Sequence, residues 1–362
     1  MRDALAVPVR IVITGAGAPG IRGTLFSLRT NPDSHPVHLI GTDMNPDCVG
    51  RHFVDEFAVL PAPEDRFYVG ALLEVARRTG AHVVLPQTTR EVLVLSRIVD
   101  DLATEGIAVA VSRAPHTERA DSKWSLLQEC LAAGFPTPRA IMSTSAEQFL
   151  EAAAALGHPG LPVVAKLPHS NGMRGLRVIA EDAWDVGRFV RDKPSGVEIG
   201  LNAFMAMLQK GGPWPELLVT EFLPGREYTV DVFAGLDGST AVVRLRRTIR
   251  SGITFEAEVL PRSQLAALSC ALGEHLALRF AFGFQWKEDE RGEPRILECN
   301  PRVQGTMVAS TLAGVNIVWL AIREALGVGP SRAELRGLRP QPISFKRFWG
   351  GGAERDGLFV ET

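Results

Sequence analysis

Over the first third of the chain, short apolar runs alternate with stretches whose apolar residues recur at helical spacing. The run Val9 to Thr14 predicts a buried strand, followed by a glycine-rich turn and a helix through about Arg29. VHLIGTD predicts a second strand, and FYVGALLEVARRTG a helix capped by Gly80. AHVVLPQT predicts a strand, REVLVLSRIVDDLATEG one helix ending on glycine, and IAVAVS a short strand. Strands alternating with helices imply a parallel sheet with right-handed crossovers. This unit runs to about residue 115.

Beyond RAPHTERADSK the pattern changes. SKWSLLQECLAAGF and AEQFLEAAAALGH have helical spacing. From Leu161 onward strands dominate: LPVVAKL, LRVIA, LLVTEFL, REYTVDVFAG and TAVVRLRRT. A helix at about 262–279, the pair FAFGFQWKE and PRILECN, and a helix at NIVWLAIREALG follow. The second part therefore reads as antiparallel α+β, and the tail from about 331 as extended. The expected fold is α/β plus α+β. Its expected domains are 1–115, then 116–330 with a flap lobe at about 160–222, then a 331–362 tail packed on the second domain.

Composition narrows the function classes. Lys plus Arg number 39 against 41 Asp plus Glu, a net charge of −2, so the chain has no global attraction to nucleic acid or anionic membrane. No apolar run approaches the roughly 20 residues of a membrane span. The first ten residues lack a signal-peptide core. Cys48, Cys130, Cys270 and Cys299 are far apart, which fits neither a zinc knuckle nor a disulfide scaffold and predicts a reduced, cytoplasmic setting.

Chemistry gathers at four places. ITGAGAPGIRGTL carries Gly15, Gly17 and Gly20 as G-x-G-x-x-G, with Asp43 ending the next strand: the outline of a dinucleotide fingerprint. In the late strand pair, a two-residue turn at Arg291-Gly292 would set Gln285 opposite Glu298. Alternation then puts Gln285, Glu298 and Asn300 on one face, with Arg302 at the strand end and Cys299 turned inward. Three oxygen donors beside an arginine suit Mg²⁺ arriving with nucleotide phosphates. A solvated hairpin face is the plainer reading of the same residues. In VTEFLPGREYTVDVF, Pro224-Gly225 reads as a turn between two strands, with Glu227, Thr229 and Asp231 on one face. Backbone groups before the turn and a carboxylate after it suit adenine and ribose, though an ordinary charged hairpin looks the same. In VVAKLPHSNGMRGL, Lys166 ends an apolar strand and needs an anionic partner, and the following loop suits phosphates. His169 reads equally as a phosphate contact or a solvated loop residue. No Walker loop occurs, since Gly-Lys is absent.

Taken in order, ADSKWSLLQECLAAGFPTPR, VVAKLPHSNGMRG, VTEFLPGREYTVDVF, FGFQWKEDERGEPRILECNPR and Gly305 resemble the ATP-grasp superfamily of carboxylate ligases. Within it the chain is similar to stand-alone relatives of the carbamoyl-phosphate synthase large subunit. The resemblance implies an N-terminal Rossmann-like domain and a two-lobed ATP-grasp domain. It implies that Lys123 and Lys166 contact ATP phosphates and that the loop Ser170–Gly175, with Gly172, covers them. Glu221, Phe222 and Leu223 would meet adenine, and Glu227 the ribose. Gln285, Glu298 and Asn300 would hold Mg²⁺, which Mn²⁺ could replace. Arg302 and Arg246 would be the catalytic arginines, with Arg244, Arg247 and Arg250 leaving that register open by one or two positions. The implied function is an ATP-dependent carbon–nitrogen ligase acting through an acyl phosphate on small-molecule carboxylate and amine substrates, with a homodimer favoured and no nucleic-acid or membrane partner. The glycine turn would then be scaffold. The alternatives are an NAD-dependent oxidoreductase using that turn and a non-catalytic ATP-binding regulator.

Overall fold

A computed structural model describes residues 5–361 apart from 171, 182–185, 192–195, 211, 349 and 356–357. Three sheets carry the architecture. The first is wholly parallel: β1 (Val9–Thr14), β2 (Val37–Asp43), β3 (Glu56–Val59), β4 (Val83–Leu85) and β5 (Ala108–Val109), in the order β3-β2-β1-β4-β5. Strand order reverses between β1 and β4, so the crevice beyond their carboxyl ends is the topological switch point of this sheet. The glycine turn after β1 and the segment Gln87–Arg90 after β4 flank that crevice. The helix Tyr68–Thr79 ends on Gly80 in the left-handed conformation, as its sequence predicts.

The second sheet holds β6 (Ala140–Ser143), β7 (Val163–Lys166), β8 (Arg177–Ile179), β9 (Glu198–Ile199) and β10 (Leu217–Glu221), in the order β6-β10-β7-β8-β9. It begins ahead of residue 160, and only its β8–β9 pair is parallel. Helices Ala146–Ala155 and Leu201–Gln209 meet on it through Phe149 and Phe204, with ring centroids 5.2 Å apart. The third sheet is antiparallel: β11 (Glu227–Gly235), β12 (Gly238–Arg250), β13 (Ile253–Leu260), β14 (Phe280–Glu288), β15 (Pro294–Asn300) and β16 (Ser344–Lys346), in the order β15-β14-β11-β12-β13-β16. The helix Ile317–Ala325 is buried almost all round, because it lies between β1 of the first sheet and the third sheet in one apolar cluster. That explains its run of apolar residues on every face.

Several expectations need correction. The stretch from Arg90 is two helices, Thr89–Arg97 and Val99–Thr104, broken at Ile98. Strand β3 and the helices Ala114–Asp121, Val186–Arg191 and Leu201–Gln209 were not anticipated. Pro224-Gly225 does not close a hairpin, because β10 and β11 belong to different sheets and the segment is a crossing between them. The tail is not simply extended. It contains the helix Arg332–Gly337, adds β16 to the third sheet, and ends in a hairpin of β17 (Gly352–Arg355) and β18 (Leu358–Glu361). That hairpin also packs on the first unit, where Phe359 stacks on His52 at 4.5 Å.

One buried ion pair pins the loop after β15 to the third sheet. Arg244 Nη2 lies 2.7 Å from Asp231 Oδ1, both side chains fully buried. Arg244 also donates to Thr306 Oγ1 at 2.6 Å, and Ser310 donates to Asp231 Oδ2 at 2.5 Å. Removing one partner strands a buried charge. Arg244→Met should cost about 3–5 kcal/mol in urea unfolding, and Asp231→Leu in the same chain should recover most of it. A single variant as stable as the parent would show that the pair holds nothing.

Candidate active site

A cavity of about 800 Å³ lies where the second and third sheets face each other, and it extends to the switch point of the first. Of the nucleotide, magnesium and catalytic residues that the resemblance implies, all but Gly175 line it, whereas Gly15, Gly17, Asp43 and His169 do not. Gly175 shapes the loop instead: its φ is +70°, and a Cβ there would lie 2.5 Å from Leu167 Cδ1.

Lys123 opens the helix Lys123–Ala132, whose N-terminus Ser122 caps by accepting from the Ser125 amide. Its ammonium donates to the Ser170 carbonyl at 2.5 Å and lies 3.4 Å from Glu298 Oε2, tying loop to strand. Lys166 is the last residue of β7 and is buried. Burial first, then the neighbouring charge of Lys123, pulls its pKa down to about 8, against a smaller pull upward from Glu298. The loop 170–175 reaches across the cavity; Asn171 lies outside the described residues. Met173 from this loop meets the turn at Gly252, where a Cβ would lie 2.9 Å from Met173 Cγ. His169 is exposed.

Glu221 turns its carboxylate to Arg139, accepting from the backbone amide at 2.9 Å and from Nε at 2.8 Å. Phe222 lies under the Lys287 ammonium, 5.3 Å from the ring centroid, and Leu223 is buried. The chain then passes Gly225, where a Cβ would sit 2.5 Å from Glu288 Cβ, so only glycine fits. Glu227 faces Arg246 across β11 and β12 and forms an ion pair with it. Arg246 also donates to the Gly252 carbonyl at 2.7 Å and to Gln285 Oε1 at 3.3 Å. Arg246 lines the cavity, Arg244 is buried against Asp231, Arg247 pairs with Glu258, and Arg250 lies over Phe255.

The strand pair β14–β15 reaches the expected register by an unexpected route. Its loop spans residues 289–293, with the Asp289 amide bonded to the Glu293 carbonyl, not a two-residue turn. Trp286 therefore faces Ile296, while Gln285 still faces Glu298 because the register shifts between them. The shift leaves Leu297 as the extra residue of a β-bulge, so Leu297 and Glu298 both line the cavity. Cys299 points into the core, as alternation predicts. Arg302, half-buried and with its pKa lowered by desolvation, donates to Thr89 Oγ1 at 3.1 Å and to Asn300 Oδ1 at 3.2 Å.

The glycine fingerprint is committed to the fold. Asp43 accepts from the Gly17 amide at 2.6 Å and from the Asn45 amide at 2.9 Å, so its carboxylate holds the turn. Gly20 packs directly on Gly305, where a Cβ would come within 2.3 Å of the Gly305 Cα. Sequence reading missed Gln87, Thr88, Thr89, Arg90, Lys287 and Arg347, all of which line the cavity. One signal was available: Thr88-x-x-Glu91 is a capping box, and both of its bonds form.

The donor set fits Mg²⁺ brought by phosphates. Gln285, Glu298 and Asn300 supply one carboxylate and two amides, and no cluster of three His, Cys, Asp or Glu side chains fit for a metal occurs among the described residues. A hard cation here would take its remaining ligands from nucleotide oxygens and water.

The family model for ATP-grasp in the biosynthetic pathway with Ter operon matches residues 213–343, which contain the Glu221–Leu223 segment, β12 and the β14–β15 pair. The chain also superposes on an ADP complex of N5-carboxyaminoimidazole ribonucleotide synthetase with a TM-score of 0.69, at 16% identity, covering 95% of this chain and 82% of that one. The chain has the ATP-grasp fold. Biotin carboxylase from Campylobacter jejuni, in a β-γ-ATP complex, gives a TM-score of 0.68 at 16% identity over 93% of this chain and 74% of that one. The biotin carboxylase domain of 2-oxoglutarate carboxylase from Hydrogenobacter thermophilus, a dimer with MgADP and bicarbonate, gives 0.68 at 15% identity over 92% and 72%. At such identities the superpositions establish the ATP-grasp fold.

The depressed pKa of Lys166 sets a pH dependence. Below about pH 8 the free protein already carries its charge. Above that, an anion can recover it only by binding with uptake of a proton, so affinity must fall as pH rises. Calorimetry with Mg·ADP should show dissociation constants flat below pH 8 and weakening above it, at most about tenfold per pH unit. Lys166→Arg, which stays charged, should flatten the profile. An equally steep profile in that variant would remove Lys166 from the phosphate site.

Proposed function

We propose that this protein is an ATP- and Mg²⁺-dependent ligase that joins a small-molecule carboxylic acid to an amine and releases ADP and phosphate. The observation that carries this reading is the convergence of Lys123, Lys166, Arg246 and Arg302 on one cavity with Gln285, Glu298 and Asn300. In it, Lys123 and Lys166 hold the phosphates, the Glu221–Leu223 segment meets adenine, and Glu227 meets the ribose once Arg246 releases it. Mg²⁺, held by Gln285, Glu298 and Asn300, would neutralise charge on the phosphates. Arg302, steadied by Thr89 and Asn300, stabilises the transferring phosphoryl group.

A carboxylate oxygen of the acid attacks the γ-phosphorus and ADP leaves, giving an acyl phosphate. The amine then attacks the carbonyl carbon, phosphate leaves, and the amine proton passes to solvent. The chain's part is to position the reactants and exclude water. The loop 170–175, resting on Gly252 through Met173, is placed to cover the phosphates. A homodimer in the cytoplasm is the proposed setting. No helix among the described residues is long and apolar enough to cross a membrane.

The oxidoreductase reading would need Asp43 for ribose hydroxyls, yet two backbone amides already engage it. Mg·ATP should raise the melting temperature while NADH does not, since only a ligand of the native state stabilises it. Glu298→Gln should keep the fold and lose about 100-fold or more in ADP release across a panel of acids and amines. A shift with NADH alone, or parental turnover in that variant, would overturn the reading.

A further inference from the structure

Two arginines of β12 pair with acids of β11, and the two pairs differ in kind. Arg244 meets Asp231 with two bonds, Nε to Oδ2 at 2.8 Å and Nη2 to Oδ1 at 2.7 Å, and neither side chain is exposed. That contact belongs to the core. Arg246 meets Glu227 through Nη1 and Oε1 alone, and both residues line the cavity. The Arg246 side chain is 4% exposed and that of Glu227 19%, so the contact sits at the cavity wall and is largely shielded from water.

Arg246 is anchored independently of Glu227. Its Nε donates to Thr254 Oγ1 at 2.8 Å and its Nη2 to the Gly252 carbonyl at 2.7 Å, which fixes the guanidinium plane. Its Nη1 also reaches Gln285 Oε1 at 3.3 Å. One nitrogen therefore covers both the acid assigned to ribose and an oxygen donor assigned to Mg²⁺. Glu227 is the partner free to turn, since one bond holds its side chain. Lys287 faces it from β14 and lines the same cavity, so positive charge stays beside Glu227 when that bond breaks. Ribose hydroxyls arriving alone must break the pair and leave Nη1 without its acid. Phosphate arriving alone must leave Glu227 without its cation. Each costs the penalty of a shielded charge that has lost its partner, whereas a nucleotide satisfies both groups at once.

We propose that the Glu227–Arg246 pair is an exchangeable latch: ribose takes Glu227 as a phosphate oxygen takes Arg246 Nη1, so occupation of either subsite strengthens binding at the other. This rests on the cavity being a nucleotide site. The coupling is reciprocal, as any coupling of two binding equilibria must be. Adenosine carries no charge, so pyrophosphate exerts no direct ionic pull on it. A gain in adenosine affinity then travels through the protein, either through the latch or through the loop 170–175, and removal of Arg246 separates the two.

The test is calorimetric titration with adenosine in excess Mg²⁺, with and without saturating pyrophosphate. In the parent, pyrophosphate should tighten adenosine binding about tenfold, within the usual range of coupling between sites. Arg246→Met leaves Glu227 open to ribose. Adenosine alone should bind this variant several-fold more tightly than it binds the parent, and pyrophosphate should no longer change that affinity. Glu227→Gln loosens the hold on Arg246 and should bind Mg·pyrophosphate several-fold more tightly than the parent does. The parent's coupling and the Glu227→Gln measurement stand even if Arg246→Met does not fold. The latch is overturned by a parent that binds Mg·ADP yet shows no coupling or binds neither fragment, by coupling that survives Arg246→Met, or by pyrophosphate binding no tighter in Glu227→Gln. Failure of the parent to bind Mg·ADP would instead overturn the nucleotide reading.

Discussion

Buried positive charge at the junction of the sheets is the constraint on which the site depends. Lys123, Lys166, Arg246 and Arg302 line one cavity, while the acids beside them are Glu227 and Glu298, with Glu221 turned away to Arg139. Charge removed from water must be paired or must titrate. Lys166 shows the tension, since burial and the charge of Lys123 pull its pKa down to about 8 while it stays mostly charged at neutral pH. A polyphosphate would relieve this shortage of negative charge, and the three oxygen donors Gln285, Glu298 and Asn300 suit the Mg²⁺ that would come with it.

The fold can hold such a cluster because each cation is fixed from a different direction. Lys166 comes from the second sheet, Arg246 from the third, Lys123 from a helix end, and Arg302 from the loop after β15. The crossing through Gly225 lets the two sheets face each other, and the bulge at Leu297 turns Glu298 into the cavity. The close approach of Gly20 to Gly305 brings the first sheet's switch point against the same space. The buried Asp231–Arg244 pair, through Thr306 and Ser310, holds the intervening loop. Without these contacts the cations would stay on separate elements and would be solvated.

Much of this was legible in the residues, because burial and alternation act locally. Val9–Thr14 and Val163–Lys166 are strands because their apolar runs are buried, and Cys299 points inward because strand side chains alternate. What stayed hidden depends on contacts far along the chain. The Gln285–Glu298 pairing was right although the turn was not: a five-residue loop and a bulge offset one another, and neither has a strong local signature. Pro224-Gly225 looks like a hairpin turn in sequence, and only the sheet assignment shows a crossing. The glycine fingerprint reads as cofactor binding until Asp43 is seen holding Gly17 and Gly20 is seen against Gly305. Arg347 carries no motif, and pairing of β16 with β13 brings it to the cavity.

The central claim is that a nucleotide binds between the second and third sheets and not at the N-terminal fingerprint. Hydrogen exchange with and without Mg·ATP measures this along the whole chain. The account predicts protection in three segments, 163–176, 217–229 and 285–302, with little change across 41–48 around Asp43. Protection concentrated at 13–20 and 41–48, with the loop 170–175 and the β14–β15 pair unchanged, would contradict it.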